Sequence, residues 1–408
     1  MVRHEDSPRE LADWIYSDRP QLHVHVAVFE DATLLTVSYL HTLFDAVART
    51  NFFKAWIAVL EGREEEVPPF VPFDQDPLCQ LGKEVARENY THFGRLVAGL
   101  SLVLFGLRYL FELLWFRKEE EHPIRVPGHC VERLRETAQQ ELAAATPEGA
   151  EVPFLSEPDV VSAWWVKTMV TALNPAPSRT VMVMSPFNVW GLFKESFPAG
   201  AKGFIGNAFF NSYTVHKAGE VLEDNNLAHL ACKNRQALVE HRTKEQVQAM
   251  TAIQRQSFMQ FPPLVGDSNL LFMTHTNQHK ARYFETDFSA AVVATGVPLT
   301  ERPHALGRPS YINDIEHCRL YPTRNVCRVI GKDAAGDWWL LFKTRSEAWP
   351  SIHRQLATLL GIDQAEARDV PNAVDQVAIT HNGSSPAKMY SEARGMLLQI
   401  RLLWRLLV

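Results

Sequence analysis

Apolar and polar positions near the start of the chain first alternate and then change to a helical spacing. Residues Leu22 to Phe29 alternate as a strand does, and the apolar, β-branched run from Leu34 to Leu40 is typical of a buried strand. Glu30 to Ala32, between the two runs, indicates a hairpin turn. From Leu43 to Leu60 the apolar positions recur at helical spacing, and Gly62 is a typical residue just beyond a helix end. The pattern therefore predicts a β-hairpin followed by a helix.

The middle of the chain combines loops with helical patterns. Arg63 to Pro77 is rich in glutamate and proline, which predicts an irregular loop. Helical spacing resumes at Cys79 and runs through an apolar segment, which the charged run from Arg117 to His122 ends. A further helix is predicted from Glu132 to Ala145. Three prolines and a glycine between Thr146 and Pro158 then predict a linker.

The second half of the chain is predicted to be a mixed unit of helices and strands, so the fold class is α/β. One strong helix begins at Glu157, with a proline in its first turn, and continues to Thr171. Another helix is predicted from Leu227 to Val247. Short apolar runs predict strands at Thr180–Met184, Ala208–Val215, Leu270–Thr276, Ala290–Ala294, Val326–Gly331 and Trp338–Lys343.

The apolar segment from Leu96 to Phe116 is long enough to cross a bilayer. Its 13 Leu, Val and Phe residues favour insertion by about 6 kcal/mol in total, whereas Arg108 and Glu112 each oppose it by about 3 kcal/mol. These terms nearly cancel, and the two charged residues are spaced to pair on one helix face. Three interpretations stay open: a helix that packs on the core or covers a cleft, a helix on a membrane surface, and a span.

The last residues, Gly395 to Val408, form a second apolar pattern that is too short to span a bilayer. Arg401 and Arg405 share one face of the predicted helix, surrounded by leucine, isoleucine and tryptophan. This pattern is typical of an amphipathic helix on a membrane surface, and it fits equally well a final helix that docks on the fold.

Composition and charge narrow the possible partners of this 408-residue chain. The net charge is −6, which argues against a general affinity for nucleic acid, and no basic helix-turn-helix pattern supports a transcriptional regulator. The polar, charged start does not resemble a secretory signal, so we expect a cytoplasmic protein. The sequence contains no Cys-x-x-Cys pair, so it does not predict a structural zinc site. The five cysteines are scattered at Cys79, Cys130, Cys232, Cys318 and Cys327.

The candidate chemistry centres on His41 and Asp45, which lie four residues apart between the predicted strand and helix. An imidazole can take a proton from a hydroxyl near neutral pH, although this pair alone is a weak signal. We predict no metal site, because His275 and His279 have no third ligand nearby in the pattern. The Gly203-x-x-Gly206 spacing lacks a lysine and a following helix, so it indicates a turn rather than a phosphate cradle.

Three motifs in one order across the chain make the sequence recognisable: His41–Asp45, Phe204–Asn207 and Asp287–Ser289. They resemble the HxxxD, YFGN-like and DFGWG motifs of the BAHD acyltransferase superfamily. The flanking text GREEEVPPF, FDQDPL and HKARYFETDFSAAVV is similar to the fungal branch of trichothecene 3-O-acetyltransferase-like proteins, and the resemblance spans roughly residues 10 to 360.

The resemblance implies two similar αβ lobes, as in other coenzyme A-dependent acyltransferases, with a channel between them. Residues 1–125 would be the remainder of the first lobe, with HxxxD and the apolar helix 96–116. Residues 126–158 would be a crossover linker, 159–378 the second lobe, and 379–408 a tail with an amphipathic helix. Only forty residues precede His41, fewer than the family places there, so the first lobe is expected to be truncated at its amino terminus.

The resemblance also implies the reaction: transfer of an acyl group, acetyl in this branch, from a coenzyme A thioester to a hydroxyl or amine. Acyl-CoA would be a co-substrate with no permanently bound cofactor, the acceptor a bulky specialised metabolite, and the protein a monomer. The alternative is a truncated, catalytically weak or inactive relative that binds a small molecule or a partner. Contact with a membrane surface through 96–116 or 395–408 stays open.

The resemblance assigns roles to individual residues. His41 would be the general base. Asp45 would pair with Arg235 and brace the turn that holds the histidine, and Asp287 would be structural. The residues implied to support or line the channel are Asn207, Thr276 and Asn277.

Overall fold

Two β-sheets organise the part of the chain that carries the motifs. The computed structural model describes residues 4, 6–29, 32–72, 74–197, 203–224, 226–257, 260–292, 305–316 and 323–362. The hairpin residues Glu30 and Asp31, Cys318, and the predicted tail 379–408 with its helix at 395–408 lie outside these ranges.

The helices and strands follow in a mixed order, which confirms the predicted α/β class. The helices are α1 (Leu11–Ile15), α2 (Ala46–Leu60), α3 (Leu100–Trp115), α4 (Gly128–Ala145), α5 (Glu157–Leu173), α6 (Ala218–Leu222), α7 (Leu227–His241), α8 (Lys244–Gln256) and α9 (Trp349–Leu360). The strands are β1 (Leu22–Val28), β2 (Thr33–Tyr39), β3 (Glu119–Val126), β4 (Thr180–Asn188), β5 (Phe209–Lys217), β6 (Leu271–Asn277), β7 (Val326–Lys332) and β8 (Trp338–Arg345).

The larger sheet has six strands in the order β3-β8-β7-β6-β4-β5. The neighbours β4, β6 and β7 run parallel, and the remaining pairs are antiparallel. Helix α5 supplies much of the core beside this sheet, and Trp165 and Trp338 are both fully buried there. The predicted strands 180–184, 208–215, 270–276, 326–331 and 338–343 are thus confirmed within a few residues.

The smaller sheet is the predicted hairpin of β1 and β2, with Leu22 opposite Tyr39. The prediction of a buried second strand is wrong, because β2 is half-buried along most of its length. In the described part of the chain this sheet has two strands, and the side chains of Val24, Val26 and Val28 on one face of β1 are exposed.

The charged residues before Pro123 do not merely end a helix, as the pattern predicted, but form the edge strand β3. Proline is tolerated at a sheet edge, where its missing N–H breaks no internal ladder. Strand β3 pairs with β8, and α4 places Cys130 and Val131 in the core of the large sheet. Residues 119–126 thus pair with the six-stranded sheet and α4 packs on its core, while the domain boundaries at residues 125 and 158 remain predictions.

Several smaller predictions also change. The continuous helix expected from Leu227 to Val247 is two helices, because Thr243 caps α8 with its side chain. The helix expected from Cys79 begins only at Leu100, after turns and short 3-10 segments. The strand expected at Ala290–Ala294 is wrong where it is described, since 289–291 form a 3-10 turn.

The charged pair predicted within α3 does not form. Arg108 donates to the Ser268 hydroxyl at 2.6 Å, and Glu112 accepts from Arg179 at 2.6 Å. Among the described residues, no helix combines the length and the apolar character that crossing a bilayer requires.

Candidate active site

His41 occupies a tight turn between β2 and α2. The chain turns where the Leu43 amide donates to the Leu40 carbonyl at 2.9 Å. Phe44 anchors the turn from below: it is 1% exposed, and its ring centroid lies 4.4 Å from that of Tyr39. His41 itself is exposed, with its ring edge-on to Phe209 at a centroid separation of 5.9 Å. The turn therefore leaves the His41 imidazole exposed, while the buried Phe44 ring holds the backbone of the turn in place.

Asp45 is buried and is satisfied entirely by backbone amides in the contacts that the structure describes. One carboxylate oxygen accepts from Val47 and Ala48, each at 2.9 Å, and so caps α2. The other oxygen accepts from the Ala208 amide at 2.9 Å. Three N–H donors and the positive end of the helix dipole stabilise the negative charge without a cationic partner.

The loop with the second motif, Phe204–Asn207, is hydrogen-bonded to the turn with the first motif, His41–Asp45. The Asn207 side chain donates to the His41 carbonyl oxygen at 2.7 Å, and the Asp45 amide donates to the Gly206 carbonyl at 3.4 Å. Together with the bond from Ala208 to Asp45, these contacts join two segments that are about 160 residues apart in sequence. The structure thus brings His41, Asp45 and Asn207 together.

Glycine is required at two points of this loop because there is no space for a side chain. A Cβ atom at Gly203 would lie 1.8 Å from the Pro69 carbonyl oxygen, and one at Gly206 would lie 2.5 Å from the Phe204 ring. The Val71 amide donates to the Gly203 carbonyl at 3.1 Å. The Gly-x-x-Gly spacing therefore serves close packing of the loop, in agreement with the predicted turn.

The predicted pair of Asp45 and Arg235 is wrong. Arg235 lies on α7 and pairs with Asp159 at 3.3 Å, near the start of α5. Asp159 also accepts from Ser156 in the cap of that helix. Arg235 thus links helix α7 to the start of α5. The Asp45 oxygens instead accept hydrogen bonds from backbone amides.

Arg49, one helical turn beyond Asp45, is the residue that the sequence reasoning missed. Its guanidinium donates to the hydroxyls of Tyr39 at 2.8 Å and Tyr283 at 3.0 Å, and to Gln278 Oε1 at 2.9 Å. It also lies 3.5 Å from the Asp314 carboxylate. Four partners from four separate segments therefore meet at one side chain of α2, and no local pattern signals this.

The electrostatics of this cluster support a charged pair. Burial opposes ionisation of Asp314, but the positive charges of Arg49 and then of Arg328 outweigh it and hold the pKa of that carboxyl below its ordinary value. Gln278 Nε2 donates to the same carboxylate at 3.1 Å. Burial also raises the pKa of Tyr283, which keeps its hydroxyl neutral. The Arg49–Asp314 pair thus stays charged, while the neutral Tyr283 hydroxyl accepts from Arg49 and donates to the Ala46 carbonyl at 2.8 Å.

Phe288 of the third motif packs against α2 at Phe53 and Trp56. The Phe288 ring lies edge-on to Trp56 at 5.3 Å and to Phe53 at 6.1 Å. Asp287 accepts from the Ser289 amide at 2.9 Å and pairs with Arg308 at 3.2 Å. The Ser289 hydrogen bonds, with a smaller effect of Arg308, lower the pKa of Asp287. The structure places Asp287 in a loop-stabilising position at a different part of α2 from the His41 turn.

Thr276 and Asn277 lie at the carboxyl end of β6. Phe209, which contacts the His41 ring, is opposite Asn188 at the carboxyl end of β4, and β4 runs parallel to β6. The carboxyl ends of neighbouring parallel strands meet at the same edge of a sheet, the usual place for ligands in such sheets. Both residues therefore share an edge with the imidazole, two strands away from Phe209.

The two remaining histidines of interest serve packing. The His275 ring lies 5.6 Å from Trp165 in the interior, and burial lowers the pKa of His275 to about 4. The His279 ring lies 4.8 Å from that of Trp338. The described part of the chain holds no cluster of three or more His, Cys, Asp or Glu residues suited to a metal ion.

Comparisons with known proteins identify relatives of the whole described fold rather than of the site alone. No family model matches the sequence. Acetyltransferase adrJ of Penicillium roqueforti is 39% identical over 363 residues, which cover 88% of this chain and 73% of the relative. Acetyltransferase sphE of Aspergillus fumigatus is 38% identical, over 88% of this chain and 71% of the relative. A further relative, at 32% identity, 87% of this chain and 72% of its own length, is named transcriptional regulator calD, from Penicillium decumbens.

Solved structures show the same fold at low sequence identity. The crystal structure of F. graminearum TRI101 complexed with coenzyme A and T-2 mycotoxin matches 81% of this chain and 67% of its own, with a TM-score of 0.60 and 13% identity. Vinorine synthase matches 83% of this chain and 66% of its own, with a TM-score of 0.52 and 16% identity.

Proposed function

Because the chain belongs to the BAHD acyltransferase superfamily and to its fungal, trichothecene acetyltransferase-like branch, we propose that it moves an acetyl or similar acyl group from a coenzyme A thioester to a hydroxyl or amine of a bulky specialised metabolite. The protein is an acyltransferase with acyl-CoA as its co-substrate. The observation that supports the finer proposal is the exposed His41 imidazole beside Phe209 of the large sheet, in a turn whose main chain is held by Asn207.

In the proposed reaction, a ring nitrogen of His41 accepts the proton of the acceptor hydroxyl. The acceptor oxygen attacks the thioester carbonyl, a carbon–oxygen bond forms and the carbon–sulfur bond breaks. The imidazolium then returns its proton to the departing thiolate. Proton and acyl group are both accounted for, so the step requires no covalent acyl-enzyme.

Asp45 is proposed to position the base rather than to relay protons. Its carboxylate oxygens bind the amides of Val47, Ala48 and Ala208, and the closing contact of the turn is made to the main chain of His41. The hydrogen bonds between the His41–Asp45 turn and the Asn207 loop thus fix the backbone from which the imidazole projects.

Thr276 and Asn277 are proposed to line the binding region. They lie at the same sheet edge as Phe209, within reach of a molecule larger than a simple alcohol. Support for a bulky acceptor comes from TRI101, which was solved with T-2 mycotoxin. Support for an acetyl donor comes from relatives named acetyltransferase.

The test is turnover of acetyl-CoA with a panel of terpenoid and polyketide alcohols, measured for the wild type and for His41→Ala. Removal of a general base is expected to lower kcat by about 10²- to 10⁴-fold. The matched control is Thr42→Ala, the adjacent exposed position in the same turn, which should retain most activity. Equal activity in wild type and His41→Ala, with both proteins folded, would contradict the proposed base.

The same assay separates the alternative of a weak or inactive relative that only binds small molecules. Coenzyme A binding to a folded wild type without any product would favour that alternative. A regulatory role, suggested by the name of one relative, gains no support from the charge of this chain, since its net charge of −6 disfavours contact with DNA phosphates.

A further inference from the structure

Helix α3 exposes its apolar side to solvent. Leu100 is 74% exposed, Leu107 59%, Phe111 61% and Trp115 70%. A surface helix of a globular protein ordinarily shows the opposite arrangement, with its apolar stripe against the core. Six exposed residues that share one face form what we call the α3 stripe: Leu100, Val103, Leu107, Phe111, Leu114 and Trp115. Leu102 and Leu104 of the same helix are also exposed.

The α3 stripe is continuous along the helix. Its members recur at intervals of three or four residues, which places them on one face. The helix has 16 residues and is therefore about 24 Å long. Isolated exposed apolar residues are normal, but a contiguous face of this length marks an interaction surface.

Polar contacts hold one flank of α3 to the protein. Arg108 donates to Ser268 at 2.6 Å, and Glu112 pairs with Arg179 at 2.6 Å. Phe105 packs on the core cluster beneath the helix. These contacts set the rotation of α3 about its axis, so the stripe cannot turn inward without breaking an ion pair.

Exposed cations flank the stripe, and the acidic residues Glu112 and Glu120 beside it are half-buried and paired with Arg179 and Lys118. Arg95 before the helix and Arg117 and Lys118 after it are exposed, as is Arg108. Arg117 also donates to the Leu114 carbonyl at 3.1 Å and so holds its charge at the helix end. Lys118 pairs with Glu120, but its side chain remains 76% exposed.

This charge pattern distinguishes between partners. A second copy that packed antiparallel along the stripe would bring Arg95 of each chain near Arg117 and Lys118 of the other, and like charges disfavour this. An anionic phospholipid surface complements both features, since it offers an apolar layer for the stripe and negative headgroups for the cations. Trp115, at one end of the stripe, is a residue type enriched at membrane–water boundaries.

We propose that α3 binds the surface of anionic membranes, lying in the plane of the interface with the stripe inserted and Arg117 and Lys118 at the headgroups. This inference rests on the helix and its charges alone and does not depend on the acyl-transfer proposal. It implies a peripheral, salt-sensitive association.

The test is vesicle flotation of the full chain. Vesicles of phosphatidylserine and phosphatidylcholine in equal parts should carry the protein, and vesicles of phosphatidylcholine alone should carry much less. Leu107→Glu and, separately, Phe111→Glu should weaken binding at least about tenfold, because a charge would have to enter the apolar layer. The paired change Arg117→Gln and Lys118→Gln should reduce the preference for phosphatidylserine.

The matched control is Val239→Glu on α7, since Val239 is another exposed apolar helix residue, at 62%, outside the stripe. It should float like the wild type. Circular dichroism melting checks folding, and the milder Leu107→Ser replaces Leu107→Glu if that variant melts early. Failure of the wild type to float overturns the proposal. So does equal flotation of the Leu107 and Val239 variants, or concentration-dependent dimerisation that Leu107→Glu abolishes without any vesicle binding.

Discussion

Asp45 and Arg49 are charged residues one turn apart at the start of α2, yet the structure satisfies them in opposite ways. Asp45 is 5% exposed and binds main-chain amides, whereas Arg49 binds the side chains of Tyr39, Gln278, Tyr283 and Asp314. The amide contacts of Asp45 depend on the path of the backbone. The contacts of Arg49 depend on the identity of residues far away in sequence. The comparison teaches that the motif carboxylate joins main-chain segments, including the Ala208 amide 163 residues away, whereas the neighbouring arginine joins side chains.

The largest effect is expected for Asp45→Ala. The change leaves the buried amides of Ala48 and Ala208 without an acceptor and removes the cap of α2, at a cost of about 3–6 kcal/mol in the free energy of unfolding. Urea denaturation measures the loss, and the acetyl-transfer assay should show little activity. The control is Asp76→Ala, because Asp76 caps an exposed loop at the Leu78 amide. Similar losses for both variants would show that the three amide contacts of Asp45 contribute no more to the free energy of unfolding than a single exposed cap.

The next effect is expected for Arg49→Met, which leaves the largely buried Asp314 carboxylate without its cation. Removal of one partner of a buried pair costs about 3–5 kcal/mol, and the 23% exposure of the Asp314 side chain places this case near the lower bound. The double variant Arg49→Met with Asp314→Asn should recover part of the loss. Arg63→Met, in an exposed pair with Glu61, is the control and should cost less than about 1 kcal/mol. Equal losses in the two arginine variants would contradict the interpretation of Arg49 as a buried brace.

The smallest effect is expected for the pH dependence of the free energy of unfolding. Unlike Asp45 and Arg49, His275 is buried as a neutral side chain. Burial lowers the pKa of His275 to about 4, while a histidine in the unfolded chain has a pKa of about 6.5. Between these values the unfolded state binds a proton that the folded state does not, so stability falls as pH falls, by at most about 1.4 kcal/mol per pH unit from this residue. His216, whose pKa burial also lowers to about 4, acts in the same direction.

Denaturation at pH 7 and pH 5 measures this dependence. His275→Phe should show a shallower loss of stability than the wild type over that interval. Asp314→Asn should leave the slope unchanged, because the lowered pKa of Asp314 keeps that carboxylate ionised throughout. An unchanged slope in His275→Phe would show that His275 is not the group that titrates.

Local patterns were sufficient where the structure is determined locally. The hairpin, α2 and α5 were predicted within a few residues, since periodicity, an N-cap and a terminal glycine all lie in the sequence near the element. Strand β3 was missed because its charged residues looked like a helix stop. Glu119 and Glu121 are satisfied by Arg324 and Arg328, about 200 residues away.

The site shows the same division. His41, Asp45 and Asn207 could be found because motif spacing and family resemblance mark them. The assignment of Arg235 to Asp45 failed because the resemblance supplied a partner that the amides of Val47, Ala48 and Ala208 make unnecessary. Arg49 could not be found, since three of its four partners lie more than 220 residues away.

Helix α2 links two of the recognised motifs: its first residue follows Asp45, and its Phe53 and Trp56 rings meet Phe288. Between them, Arg49 ties the helix to Tyr283 and Gln278. A helix of this length bends little, so it acts as a single stiff rod. Sequence changes elsewhere around the site can therefore leave the position of His41, the proposed general base, unaltered, provided that the helix keeps these contacts. A substitution in the loop around Phe288 is expected to act on the His41 turn through a tilt of this helix.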